Sequence, residues 1–189
     1  MANEHSPHHP RRPGGEGQRI GPYVIERELA RGGMGVVYVA KHEALGRTVA
    51  LKLLLAANER ARERFLTEAQ ATARISHRNI VSVHEVGEHE GWPYLAMDLI
   101  DGEPLDQRLE NKGPLAERDA ARIAERLASA LSRAHSAGVL HRDVKPANVL
   151  LTSGDEPMLV DFGLAKDMID PGSLTSGSRS PSRRFGRAA

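Results

Sequence analysis

The stretch His141-Arg142-Asp143-Val144-Lys145-Pro146-Ala147-Asn148-Val149-Leu150-Leu151, with Asp161-Phe162-Gly163 shortly after it, decides how the rest of the chain is read. Asp143, Lys145 and Asn148 are polar residues at fixed spacing on a loop that follows a helix, and Asp161 follows a short strand expected over Met158–Val160. The helix in front of the loop is expected over residues 115–136. Ile123, Leu127 and Leu131 recur every four residues there, Ala120, Ala124 and Ala134 widen the stripe, and Gly138 ends it.

Working towards the N-terminus, Val81–Glu88 and Pro93–Ile100 read as two strands around His89-Glu90-Gly91-Trp92, a hairpin signal. Before them, residues 58–75 read as a helix carrying Phe65, Leu66, Ala69 and Ala73 on its apolar side. Tyr23–Leu29, Val36–Lys41 and Thr48–Leu54 are further β-rich runs, as in an antiparallel sheet. Between the first two lies Arg31-Gly32-Gly33-Met34-Gly35, either a plain Gly-rich turn or a hairpin whose backbone N–H groups close over a polyphosphate. The third run holds Val49-Ala50-Leu51-Lys52, a cation inside an apolar strand. Its ammonium either snorkels from an edge strand or needs an anion, and phosphate oxygens or Glu68 of the following helix are the candidates.

Composition narrows the classes of function. The chain has 189 residues and no cysteine, which excludes disulfide scaffolds, cysteine metal sites and cysteine nucleophiles. Its longest apolar stretch, Val49–Ala57, is interrupted by Lys52 and falls far short of the ~20 residues that span a bilayer. Residues 1–19, rich in His, Pro, Arg and Gly, read as a disordered leader without a signal peptide's apolar region, and the expected address is cytoplasmic. Residues 171–189 read as a disordered basic tail with four Arg and no acid. Between these segments, residues 20–170 carry 19 basic and 23 acidic groups, a net of −4, which argues against a nucleic-acid-binding body. His5, His8 and His9 are expected to be solvated, and His77, His84, His89 and His135 hydrogen-bonded or solvated.

Through RGGMGVVY, VALK, HRDVKPANVLL and DFGLAK the chain resembles the eukaryotic-like, bacterial Hanks-type serine/threonine protein kinases. The resemblance implies an α+β, two-lobed fold: an antiparallel β-sheet lobe with one helix over about 23–100, and an incomplete helical lobe over 101–170. It implies ATP and Mg²⁺ as cofactors and a protein Ser/Thr hydroxyl as acceptor. Gly32 and Gly35 match glycines of the phosphate-covering loop, with Ala30 where another glycine is usual. Leu29, Val37, Ala50 and Leu150 are implied to sandwich the adenine, and Met97, Asp98, Leu99 and Ile100 to form the hinge along its edge. Lys52, steadied by Glu68, is implied to hold the α/β-phosphates. Asp143 matches the catalytic base and Lys145 the neutraliser of charge on the moving phosphoryl group, while Asn148 and Asp161 match the metal ligands. Lys145 is similar to the serine/threonine subgroup, and Arg142 implies control by an activation-loop phosphate.

The resemblance covers residues 23–166, and no Ala-Pro-Glu run follows Gly163. A truncated, weakly active kinase is therefore expected, its last residues resembling the product of a changed reading frame. A non-catalytic module that binds nucleotide or a partner is the alternative, and a basic-tailed interaction protein a distant third.

Overall fold

In the computed structural model of the chain the described residues are 14–32, 35–55 and 59–162. Residues 1–13 of the leader expected over 1–19, the tail expected over 171–189 and Gly163 lie outside them. Strands β1 (Arg19–Ile20), β2 (Tyr23–Arg31), β3 (Gly35–His42) and β4 (Thr48–Leu54) precede helix α1 (Glu59–Ala73). Then come β5 (Val83–His89), β6 (Trp92–Asp98), β7 (Gly102–Pro104), α2 (Leu105–Lys112) and α3 (Glu117–Ser136). A single 3-10 turn (Pro146–Asn148), β8 (Val149–Thr152) and β9 (Pro157–Leu159) complete the order.

Two sheets result. The larger is antiparallel throughout, in the order β1-β2-β3-β4-β6-β5, and the smaller is β7-β8-β9. The central position of β4 follows from its sequence, which is apolar on both faces except at Lys52. Side chains alternate across a strand, so Val49, Leu51 and Leu53 enter one core with Tyr38, Tyr94 and Ala96. Ala50 and Leu54 enter the other, with Leu95, Met97 and the α1 residues Phe65 and Ala69. Lys52 shares that second face, which places its ammonium between the sheet and whatever lies below.

Residues 14–19, expected as part of the leader, instead pack on the sheet. Gly17 N donates to Ile25 O at 2.8 Å, β1 pairs with β2, and Arg19 bonds Glu43 at 2.6 Å. Ile20, fully buried, anchors the segment, and it is the apolar residue that ends the polar run. The elements β7 and α2 also went unforeseen, because they are short and carry little periodicity.

The third core joins the small sheet to α3 through Ile80, Leu105, Ile123, Ala130, Ala134, Val149, Leu151, Leu159 and Phe162. On α3 the buried residues are Ile123, Ala130 and Ala134, with Leu127 and Leu131 partly buried. Ala120 and Ala124, expected to widen the stripe, are exposed. The packed face follows the true helical repeat, 123–127–130–134, rather than a strict spacing of four. Gly138 ends the helix as expected. At φ 76° it lets its own N–H reach His135 O and the Val139 N–H reach Ala134 O, closing the last turn.

The two halves are stitched beside β9. Val81 N donates to Leu159 O (3.1 Å), Leu159 N to Asn79 O (2.9 Å) and the Asn79 amide to Pro157 O (2.8 Å). Next to this seam His141 is 1% exposed, with its ring 4.7 Å from that of Phe162. Its Nε2 lies 2.9 Å from Val160 O, and a carbonyl only accepts, so Nε2 carries the proton. Burial, the largest influence, pushes this imidazole below the ordinary histidine range, with the Val160 bond and nearby carboxylates opposing.

Gly35 owes its identity to packing. A Cβ there would sit 2.3 Å from the Leu53 carbonyl oxygen of β4, whereas one on Gly32 would meet nothing within 4 Å. Gly35→Ala is therefore expected to lose about 1–3 kcal/mol by overpacking, while Gly32→Ala stays within about 0.5 kcal/mol of the parent. Urea unfolding of both variants measures this, and equal midpoints would refute the assignment.

A buried imidazole with a lowered pKa takes up a proton more readily when the chain unfolds. Its contribution to stability is complete above the ordinary value of 6.5 and is lost as pH falls below it. As pH falls below about 6.5 the native protein should lose stability, at most about 1.4 kcal/mol per pH unit from this one proton. His141→Asn should flatten that slope in urea titrations, and parallel slopes in the two proteins would count against the assignment.

Candidate active site

An apolar cleft lies under the larger sheet. It is lined by Leu29, Val37 and Ala50 from the sheet, by Met97, Asp98, Leu99 and Ile100 where β6 ends, and by Leu150 from below. Every residue expected around an adenine is thus present on one cleft. Leu29 remains 45% exposed, a large apolar side chain only partly covered by protein. Ala30, Val81, Val160 and Asp161 also line it. Val81 and Val160 were missed, and their signal is topological, since Val81 bonds Leu159 across the seam described above and Val160 follows Leu159 in the chain.

Gly32 and Gly35, expected over the phosphates, are not among the lining residues of this cleft.

The polar residues gather beside the cleft, next to its lining residues Val160 and Asp161. The Asn148 amide nitrogen donates to the Asp143 backbone carbonyl (2.8 Å) and to Asp143 Oδ2 (3.1 Å). Lys145 Nζ lies 2.8 Å from the same Asp143 oxygen. That hydrogen bond, and then the carboxylate's charge, raise the lysine's pKa, so it stays an ammonium. Val160 N donates to Asn148 O at 3.0 Å, holding the loop against the strand that leads to Asp161. Three of the residues singled out on the loop therefore form one bonded cluster, with Asp161 on the adjoining strand exit.

Lys52 departs from expectation in its partner. Its Nζ donates to Asp161 Oδ1 at 2.6 Å, and Glu68, expected to steady it, instead accepts from Arg142 Nη1 at 2.9 Å. The reason is reach: Glu68 lies on the α1 side that borders Val139, Leu140 and Arg142, and the Arg142 backbone, at φ 61°, presents a guanidinium there. Arg142 was expected to meet a phosphate, and a carboxylate holds that place here. Asp161 shares the left-handed conformation, at φ 60°. Both are non-glycine residues in a sparsely populated region, a form of strain that clusters at functional sites.

Of the scattered histidines, His77 meets Ser129 Oγ at 3.2 Å, as a structural side chain would. His84 bridges Arg47 and Asp98. No helix among the described residues is long and apolar enough to cross a membrane.

Comparisons with known proteins place this fold in a family. The family model described as protein kinase domain matches residues 23–182, further than the 166 expected from the motifs. The chain is 44% identical over 157 residues to serine/threonine-protein kinase PknH of Mycobacterium tuberculosis, covering 82% of this chain and 25% of PknH. With serine/threonine-protein kinase PknD of the same species it shares 42% over 165 residues, 86% of this chain and 25% of PknD. It spans about a quarter of the length of these curated relatives. The crystal structure of the Mycobacterium tuberculosis PknI kinase domain superposes with a TM-score of 0.72 at 39% identity, covering 80% of this chain and 64% of that one. Sequence and fold thus point the same way, and the chain belongs to the protein kinase domain family.

Proposed function

We propose that the chain carries the nucleotide-binding and phosphoryl-transfer site of a serine/threonine protein kinase, which moves the ATP γ-phosphoryl group to Ser or Thr hydroxyls of proteins in the cytoplasm. The observation that carries this reading is the cluster of Asp143, Lys145 and Asn148 on one loop, beside Asp161 and Lys52 and continuous with an apolar cleft. The adenine is assigned to that cleft, between Leu29, Val37 and Ala50 above and Leu150 below, with its edge along Met97–Ile100. Gly32 and Gly35 are assigned to the hairpin over the phosphates.

Asp143 takes the proton of the acceptor hydroxyl as the oxygen attacks phosphorus. The bond to the β-phosphate oxygen breaks, and ADP leaves with that electron pair. Lys145, already an ammonium, offsets charge on the transferring group. Lys52 holds the α/β-phosphates in line, and Glu68 is assigned to steady it there.

The donor chemistry fits Mg²⁺. Among the described residues no group of three or more His, Cys, Asp and Glu could hold a metal by itself. Asp161 and the Asn148 amide oxygen are hard donors that suit an ion completing its shell from waters and substrate phosphates. When bound, such an ion supplies charge neutralisation for the phosphates. For Asp161 to serve it, Lys52 must let go of the carboxylate. The Lys52 side chain is only 16% exposed, so it leaves Asp161 only as phosphate oxygens take the carboxylate's place as its anion.

Two measurements test the reading. Calorimetry on folded protein should detect ATP·Mg²⁺ binding at or below millimolar concentration, and the absence of heat would overturn it. Transfer of radiolabelled γ-phosphate, to the chain itself or to a basic carrier protein, distinguishes a kinase from a module that only binds nucleotide. Asp143→Asn should lower that transfer about 10²–10⁴-fold, the range for losing a general base. Unchanged transfer would remove Asp143 from its role.

A further inference from the structure

Strand β5 carries an irregularity at one place. Val83 pairs with Met97 and Glu85 with Ala96, so two steps on β5 answer one on β6, and His84 is the extra residue. A bulge of this kind re-aims a side chain that a regular strand would send elsewhere. Here it turns the His84 ring between two charged groups from different parts of the sheet. Nδ1 lies 3.1 Å from Arg47 Nη1, in the turn that leads into β4, and Nε2 lies 2.7 Å from Asp98 Oδ1 at the end of β6.

The proton arrangement follows from the partners. A guanidinium can only donate, so His84 Nδ1 accepts, and Nε2 must carry the hydrogen that it donates to the Asp98 carboxylate. The neutral ring fits both partners at once, in one orientation and one tautomer. Asp98 is further held by its backbone N–H, which donates to Ser82 O at 3.0 Å, and it lines the apolar cleft. A relay from the β3–β4 turn through the bulge thus ends on the segment along which the adenine edge is placed.

We infer that His84 is a positioning residue for nucleotide binding: with Arg47 behind it, it fixes the Asp98 side chain and through it the backbone of Met97–Ile100. This rests on the assignment of the cleft to adenine. The His84 and Asp98 side chains are 23% and 42% exposed, so water competes for these bonds and the effect is a moderate one. It bears on the adenine end of the ligand alone, because the relay touches none of the residues assigned to phosphate.

The test compares His84→Leu, which removes both bonds, with His84→Gln, whose amide can accept from Arg47 and donate to Asp98. Calorimetry should show His84→Leu binding ATP·Mg²⁺ and adenosine about three- to fivefold more weakly, by the same factor, with inorganic tripolyphosphate unaffected. His84→Gln should recover at least half of the loss. Hydrogen exchange of the Leu99 and Ile100 amides, measured without nucleotide, should quicken in His84→Leu and return in His84→Gln. Parental affinity and exchange in His84→Leu would overturn the inference, as would equal weakening of tripolyphosphate or no recovery with glutamine. If the parent protein binds no nucleotide, the cleft assignment fails and the inference with it, while the exchange data still report whether His84 orders the segment.

Discussion

An ammonium on the inward face of the central strand of an apolar sheet is the constraint on which the arrangement depends. Lys52 is flanked along β4 by Leu51 and Leu53, and shares its face with Ala50 and Leu54. Leaving such a charge unpaired away from water is costly, so an anion must come to it. Among the described residues that anion is Asp161, 109 positions further along the chain. The pair therefore does more than neutralise a lysine. It brings the exit of β9 beneath the sheet and closes the inner end of the cleft.

One buried side chain holds the backbone for this. His141 immediately precedes Arg142, and Val160 immediately precedes Asp161, so the bond from His141 Nε2 to Val160 O links the positions just before two of the four left-handed non-glycine residues described. Strain of this kind costs on the order of 1–3 kcal/mol per residue and persists only where neighbours over-determine it. The Asp143 N–H to His141 O bond (2.8 Å) and the His141–Phe162 ring contact supply further restraint from either side. The imidazole is thus structural in its contacts, yet it sets the directions in which Arg142 and Asp161 project.

Much of this was legible in the sequence, for reasons that differ by element. Strand β4 was read with both ends correct, because an apolar run bounded by turn residues has one reading in an antiparallel sheet. Helices α1 and α3 were read to within about two residues, since both carry a helical repeat. β7 and α2 were not read. A three-residue strand and an eight-residue helix owe their existence to contacts with β8 and the third core, and local pattern says little about such contacts. Among site residues, the loop cluster was legible because Asp143, Lys145 and Asn148 lie within six positions of one another. The partner of Lys52 was not, since Glu68 and Asp161 are both carboxylates and only three-dimensional placement chooses between them. His84 was invisible for a related reason: its direction is set by a register shift between two strands.

The choice between carboxylates bears on how the proposed site would load. Lys52 and Arg142 supply two cations, and Asp161 and Glu68 two anions, so the described pairing and the expected Lys52–Glu68 pairing both neutralise the lysine. They differ in which carboxylate is left near the phosphates. An attraction between unit charges about 4 Å apart is of order 4 kcal/mol at an effective dielectric constant near 20. Partly exposed ion pairs contribute about 0.2–1 kcal/mol after solvation and ordering costs. A polyphosphate carrying several charges offers Lys52 a replacement anion, so that leaving Asp161 for the phosphates exchanges one ion pair for another. The Glu68–Arg142 pair, 28% and 39% exposed, is better solvated than Lys52 and poses the smaller obstacle. Under the proposed function, the ligand's own charge is thus sufficient to select between two pairings of the same four side chains.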